Sequence, residues 1–183
     1  LFRYLDVGAL PDDAAAAAIR KPIQEERADI EEAALARLVQ LTRGYPYFLQ
    51  EWGYHTWNVA PASPITLGDV ERATETVLRS LDDGFFRVRL DRLTPKEKEY
   101  LRAMADLGAG PYRSGEIAAK LGATTPAVAS LRDSLIRKGM IYSQRFGINE
   151  FTVPMFDDFM RRTMQDWQPG VTRDDDAGAD DDS

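Results

Sequence analysis

Cysteine is absent from this 183-residue chain and histidine occurs once, at His55. Without a thiol there is no disulfide, no cysteine nucleophile and no cysteine-held zinc or iron–sulfur site. A single imidazole gives a histidine-based metal centre too few ligands, so no metal site is expected. His55 falls in a helical pattern among aromatic residues, which predicts a packing or surface role. No nucleophile–base–acid set surrounds it, and no catalytic residue is assigned. Long apolar runs are missing as well. The blandest stretch, Ala14 to Ile19, is alanine-rich and flanked by charge, far short of the ~20 apolar residues that a membrane helix needs. A soluble, cytoplasmic protein with no membrane partner is expected. Nor does GxxxxGK[ST] occur anywhere. That loop cradles phosphates with backbone amides while its lysine and hydroxyl hold charge and magnesium, so the chain is not expected to hydrolyse ATP alone. It opens at Leu1 rather than Met, with no basic-then-apolar leader, and reads as cut from something longer.

What is present suffices for a packed core: 44% of residues are hydrophobic, enough for one ordinary domain or two small ones. The net charge of −7 is unevenly spread. Asp174 to Asp182 holds six aspartates and no base, and the segment 163–183 is expected to be a disordered acidic tail. Residues 94–162 carry 11 Lys/Arg against 8 Asp/Glu, whereas residues 1–93 carry 11 against 15. An acidic N-terminal module is thus followed by a mildly basic one, a hint of a nucleic-acid surface in the second.

Helical signals fill the first module. Asp12 or Asp13 can cap a helix through Ala14–Ile19, with Pro22 expected to stop it near Lys21. A second helix is predicted from about Ile30 to Thr42, its apolar face made by Ala34, Leu35, Leu38, Val39 and Leu41, with Gly44 as C-cap. Pro46 opens a third in its permitted first turn, with Phe48, Leu49, Trp52, Thr56 and Val59 as the buried stripe. After the break at Ala60–Pro64, Thr66 caps a fourth with Asp69 three residues on. Val70, Ala73, Val77, Leu78 and Leu81 carry that stripe towards Gly84. The charged and apolar run Phe85–Leu93 leads to a boundary placed just before Thr94.

Thr94-Pro95 starts a helix reaching Leu107. Ser114 is expected to cap a short one that Gly122 closes, and Thr125-Pro126 to start another that is buried through Val128, Leu131 and Leu135 and ends at Gly139. Two short β-like runs, MIYSQ and EFTVP, follow around Gly147 and Asn149, which suit a tight turn. A last amphipathic helix, PMFDDFMRR, closes the module. Helix, helix–turn–helix, hairpin is the order of a winged helix. The fold expected is mainly α: a helical bundle over 1–93, then a winged helix-turn-helix domain with one β-hairpin over 94–162.

The segment Leu41-Thr42-Arg43-Gly44-Tyr45-Pro46-Tyr47-Phe48-Leu49-Gln50 resembles the lid of STAND-type and archaeal-type ATPases, a branch of the P-loop superfamily related to the origin-recognition AAA+ proteins. In that family a Gly-x-Pro turn joins two lid helices and lies against the adenine and ribose. Gly44, Tyr45 and Pro46 match the turn, so the resemblance implies that they contact ATP held with magnesium by a P-loop core, a partner this chain lacks. The parent protein would then be an ATPase and this part inactive alone. Glycine frees a backbone to approach a ligand, and proline offers a rigid apolar surface; the same residues also serve as an ordinary helix end and helix start. Origin-recognition relatives often carry an arginine near the position of Tyr47. Its absence favours the STAND-like branch, with Arg43 at a helix end where a cation suits the dipole.

Two readings of the second module stay open. Duplex DNA would be met by the outer face of the third helix, through Thr125, Ala127, Ser130, Ser134 and Arg137, and by Arg145 at the wing; of these, Thr125, Ser130, Arg137 and Arg145 are the candidate contacts. Bidentate base readers are absent from the first two turns, and Arg132 has acids nearby to pair with. In the other reading the domain regulates the ATPase core from within. A different class of protein also fits: a stand-alone winged-helix DNA-binding transcriptional regulator with an N-terminal dimerisation or sensing bundle. Trp52 and Trp57, with Tyr45, Tyr47 and Tyr54, resemble a base-stacking platform, but aromatics at helical spacing are expected to be core.

Overall fold

The computed structural model describes residues 8–145 and 147–169, Gln144 by its backbone alone. The chain divides into two compact units between Val88 and Arg89. The division falls inside a helical turn, a few residues ahead of the Thr94 signal, because the backbone does not leave the helical region where the charge pattern changes.

The first unit is helical. Asp12–Glu25 forms α1, Glu32–Thr42 α2, Pro46–Val59 α3 and Leu67–Ser80 α4. The backbone then passes through a π-helical segment, Leu81–Phe86, into the short α5, Arg87–Leu90. Helix α4 packs on both α2 and α3, and α1 packs on the same pair. Trp52, Phe48, Leu38, Val70, Val77 and Phe86 lie at the centre with almost no exposure. The Trp52 indole N–H donates to Thr74 Oγ1 at 3.2 Å, so the largest core ring leaves no polar atom stranded. Thr66 and Asp69 form a reciprocal capping box at the start of α4: Thr66 N–H donates to Asp69 Oδ2 at 2.7 Å and Asp69 N–H to Thr66 Oγ1 at 3.3 Å. The Thr66 amide, with its hydroxyl and Arg72 behind it, holds the Asp69 carboxyl below the usual range despite burial.

Pro22 does not end α1. The helix continues to Glu25 with Pro22 inside it, and one more turn carries Ile23 into the core beside Ile19 and Ala15. That burial outweighs the hydrogen bond proline cannot donate. Val59 is exposed rather than part of the α3 stripe.

In the second unit α6 (Pro95–Asp106), β1 (Tyr112–Arg113), α7 (Ser114–Lys120), α8 (Thr125–Arg137), β2 (Ile141–Arg145), β3 (Ile148–Phe151) and α9 (Phe156–Thr163) follow in order. The strands form an antiparallel sheet in the order β1–β3–β2. The sequence reading had one hairpin; the third strand, only two residues long, has no periodicity to read. Tyr100, Leu101, Met104, Ile117, Leu135, Phe156 and Phe159 make the core. Arg161 fastens α9, reaching Asp157, Asp158 and the Ala105 carbonyl of α6. Residues beyond α9 are not all tail: Arg102 Nε donates to the Met164 carbonyl at 3.1 Å, and its guanidinium lies 5.2 Å from the Trp167 ring centroid. The aspartate-rich stretch Asp174–Asp182, expected to be disordered, lies outside the described residues.

Glu97 joins two helices, α6 and α8. It completes a capping box with Thr94 at the start of α6, accepts from Ser134 Oγ of α8 at 2.7 Å, and pairs with Lys138 Nζ at 2.7 Å. Burial pushes its carboxyl up, but Lys138, the Thr94 amide and Ser134 together hold it down to about 2. The folded state therefore favours the ionised form, a contribution complete above the ordinary value of 4.5 and lost as pH falls towards 2. Urea denaturation followed by circular dichroism is expected to show stability falling below about pH 4.5. Glu97→Gln should cost about 2 kcal/mol at neutral pH and show a shallower acid limb. An acid limb identical in the two proteins would disprove the role given to Glu97.

Candidate functional site

Helix α2 ends in two successive left-handed residues, Arg43 (φ 49°) and Gly44 (φ 68°). The C-cap is Arg43, whose N–H donates to the Val39 carbonyl at 2.9 Å. Gly44, expected in that role, comes one residue later, and the Tyr45 N–H then closes the turn on the Thr42 carbonyl at 2.9 Å. Pro46 occupies the first turn of α3, where its missing N–H costs nothing.

Gly44 is buried, and its neighbour is the chain itself. Leu10 N–H donates to the Gly44 carbonyl at 2.8 Å. A Cβ on Gly44 would overlap the Leu10 carbonyl oxygen. The close backbone approach that glycine permits is thus made by the segment leading into α1. Tyr45 and Pro46, by contrast, are half-buried and reach the surface of the turn.

An aromatic cluster backs the turn. Tyr45 lies 4.8 Å from Phe48 and 6.3 Å from Phe85 between ring centroids, and Tyr47 stacks on Phe85 at 4.9 Å with planes 16° apart. Phe85 and its buried neighbour Phe86 come from the π-helical segment, where i→i+5 bonding turns both rings inward. The sequence reading gave Phe85–Leu93 no helical assignment, because charged and apolar residues alternate along it. Of the aromatics expected in the core, only Trp52 and Phe48 are fully buried. Tyr47, Tyr54 and Trp57 are 40%, 66% and 42% exposed and share one face of α3 by helical spacing. Trp57 and Tyr54 leave the core because Phe48, Leu49, Trp52 and Thr56 already fill the side of α3 that meets its neighbours. His55 is half-buried, with Nε2 3.9 Å from Glu51 Oε2. Beside Arg43, an open groove of about 700 Å³ runs between α1 and α2, edged by Asp12, Asp13 and Glu32. No group of side chains suited to a metal ion occurs among the described residues.

On the second unit Thr125, Ser130, Arg137 and Arg145 are all exposed. Ser134 is not on that outer face, since its hydroxyl is turned to Glu97. Arg132 is bonded to Asp133 at 2.8 Å. Ser114 does not cap α7; its hydroxyl instead accepts from the buried Asn149 Nδ2 at 2.9 Å, locking β3 to the start of α7. The first strand brings up a residue the sequence reading did not single out: Arg113, exposed and paired in register with Ile148. Only strand pairing reveals it.

Residues 83–160 match a family described as a domain of unknown function, DUF8462. No curated protein matches the chain. Among solved structures, the Walker-type ATPase PABY2304 of Pyrococcus abyssi is similar over 84% of this chain and 42% of its own, with a TM-score of 0.68 and 20% identity. The RuvB Holliday junction branch migration motor of Thermotoga maritima is similar over 78% of this chain and 46% of its own, with a TM-score of 0.40 and 17% identity. The chain thus spans less than half the length of either structure. The first of these likenesses is one of fold.

Because Gly44 is held against Leu10, its replacement should act on stability without any ligand. Gly44→Ala combines a left-handed backbone, about 1–2 kcal/mol, with the overlap at Leu10. A loss of at least about 2 kcal/mol is expected, or roughly 10 °C in the thermal midpoint of the first unit. An unchanged melting curve would contradict the Leu10–Gly44 packing.

Proposed function

We propose that the chain is the helical lid and winged-helix part of a P-loop ATP-binding protein of the AAA+/STAND kind. The observation that carries this reading is the likeness of fold to the Walker-type ATPase, which extends over most of this chain but under half of that one. ATP with magnesium would be held by a P-loop core that these residues do not contain. The turn suits one end of such a ligand only. Tyr45 and Pro46 offer a half-buried, rigid apolar surface to a base, while Gly44 is already committed to Leu10. No cation stands where the origin-recognition arginine would be, since Tyr47 is stacked on Phe85. The lid in this reading senses or covers the base and supplies no charge to the phosphates.

The uncovered aromatic face of α3, next to the turn, gives the core a place to rest. For the assembly to switch, nucleotide must bind two arrangements with different affinity. The winged helix passes that state onward and meets duplex DNA. The competing class, a stand-alone DNA-binding regulator, would use the same aromatic face for dimerisation.

The test begins with the gene. Residues encoded upstream of Leu1 are expected to include GxxxxGK[ST] within roughly one domain's length. In that longer protein, Pro46→Ala and Tyr45→Ala should each weaken binding of a fluorescent ATP analogue about ten-fold. Pro46→Ala should shift the melting point of the present chain by less than about 3 °C. No P-loop upstream, together with a stable dimer by light scattering, would replace this reading with the regulator.

A further inference from the structure

The register of the small sheet assembles a basic patch that neither the chain order nor α8 displays. Arg113 of β1 and Arg145 of β2 are both paired with the same residue of β3, Ile148, and Arg145 resumes the pairing after a bulge that follows Ser143 in β2. Directly paired residues point to one side of a sheet. Between β1 and β3 that side is the outer one: at the next register position Tyr112 and Asn149 are buried, whereas Arg113 is exposed. On β2, where the bulge leaves Ser143 exposed as well, Arg145 is exposed too. Two strand spacings put the arginine Cα atoms about 10 Å apart, with a half-buried isoleucine between them. Neither arginine has an ion pair among the described residues. The carboxylate nearest along this face, Glu150, accepts from the Tyr142 hydroxyl paired with it across the strands.

The exposed face of α8 is poor by comparison. Its first two turns show Thr125, Pro126, Ala127 and Ser130, with no cation among them. Arg137 stands alone at the far end, and Arg132 is bonded to Asp133.

We propose that Arg113 and Arg145 form a phosphate-contacting surface for duplex DNA on the outer face of the sheet, and that this face, rather than α8, makes the principal contact. The inference rests on reading the second unit as a DNA-contacting winged helix. Charge complementarity supports it locally: residues 94–162 carry 11 basic against 8 acidic side chains, the acidic excess of the chain lying in residues 1–93 and 163–183. Guanidinium groups suit phosphodiester oxygens geometrically as well as electrostatically. A patch with few hydrogen-bonding side chains would grip the backbone with little sequence preference.

Fluorescence anisotropy of a labelled random duplex, titrated with the full chain between 50 and 200 mM salt, tests the assignment. The Arg113→Ala/Arg145→Ala double variant is expected to bind at least ten-fold more weakly at low salt. Its slope of log affinity against log salt should be shallower by about two. Arg113→Lys/Arg145→Lys should keep that slope, and Arg137→Ala should cost less than three-fold. Circular dichroism of each variant should match the parent. If the double variant binds like the parent, or Arg137→Ala costs as much, the placement is wrong while the DNA reading survives. If the parent binds no duplex even at low salt, both fail. Binding to vesicles rich in phosphatidylserine without duplex binding would make the patch a membrane contact and overturn the proposal. None of these outcomes bears on whether a P-loop is encoded upstream.

Discussion

A buried carboxylate in the first turn of a helix organises each unit. Asp69 and Glu97 sit three residues after a threonine, exchange hydrogen bonds with it, and are 2% and 3% exposed. Burying a carboxylate is expensive unless its oxygens are satisfied, so each position fixes its surroundings. At Asp69 the result is local: α4 begins at one residue and in one direction, which presents Val70, Ala73 and Val77 to α2 and α3. At Glu97 it is also long-range, because Ser134 and Lys138 come from α8 and its end to complete the shell. The spacing of helices α6 and α8 in the second unit follows from that shell as much as from the apolar contacts between them.

The turn at Gly44 shows how one residue can serve structure and leave function to its neighbours. Its left-handed φ and missing Cβ are both used by Leu10. What stays accessible is the half-buried surface of Tyr45 and Pro46 and the outer face of α3. Helix α3 is therefore two-sided. One side holds Phe48, Trp52 and Thr56 out of water, and the other leaves Tyr54 and Trp57 in it. In the function proposed above, these exposed aromatic side chains are the surface offered to the missing core.

Helical periodicity and capping residues were readable before any coordinates. The starts of α3, α4 and α6 follow from Pro46, Thr66 and Thr94, and the buried stripes of α2 and α4 from their spacing. Readings failed where a local preference met a tertiary contact. Pro22 is carried inside α1 because Ile23 is buried beyond it. Ser114 gives its hydroxyl to Asn149 instead of to a helix end. The π-helical segment has no sequence period of its own, and its signal was only the unusual pair Phe85-Phe86.

For the candidate sites the division is similar. Gly44-Tyr45-Pro46 could be picked out in the sequence by its resemblance to a Gly-x-Pro lid turn, in which glycine frees the backbone and proline fixes it. The exposure of Thr125, Ser130 and Arg137 also followed from their helical positions, and that of Arg145 from its place at the wing. The chain by itself determined a mainly helical protein without thiol chemistry, the helix boundaries set by caps, and the split between an acidic and a basic half. Only the tertiary structure decided what lies beside Gly44, which aromatics of α3 stay in water, and that Arg113 shares a sheet face with Arg145. Such juxtapositions join residues 32 to 34 positions apart, like Leu10 with Gly44 and Arg113 with Arg145. Caps and periodicity act over a turn or two of one helix and carry no information over that distance; hydrogen bonding between strands and backbone packing do.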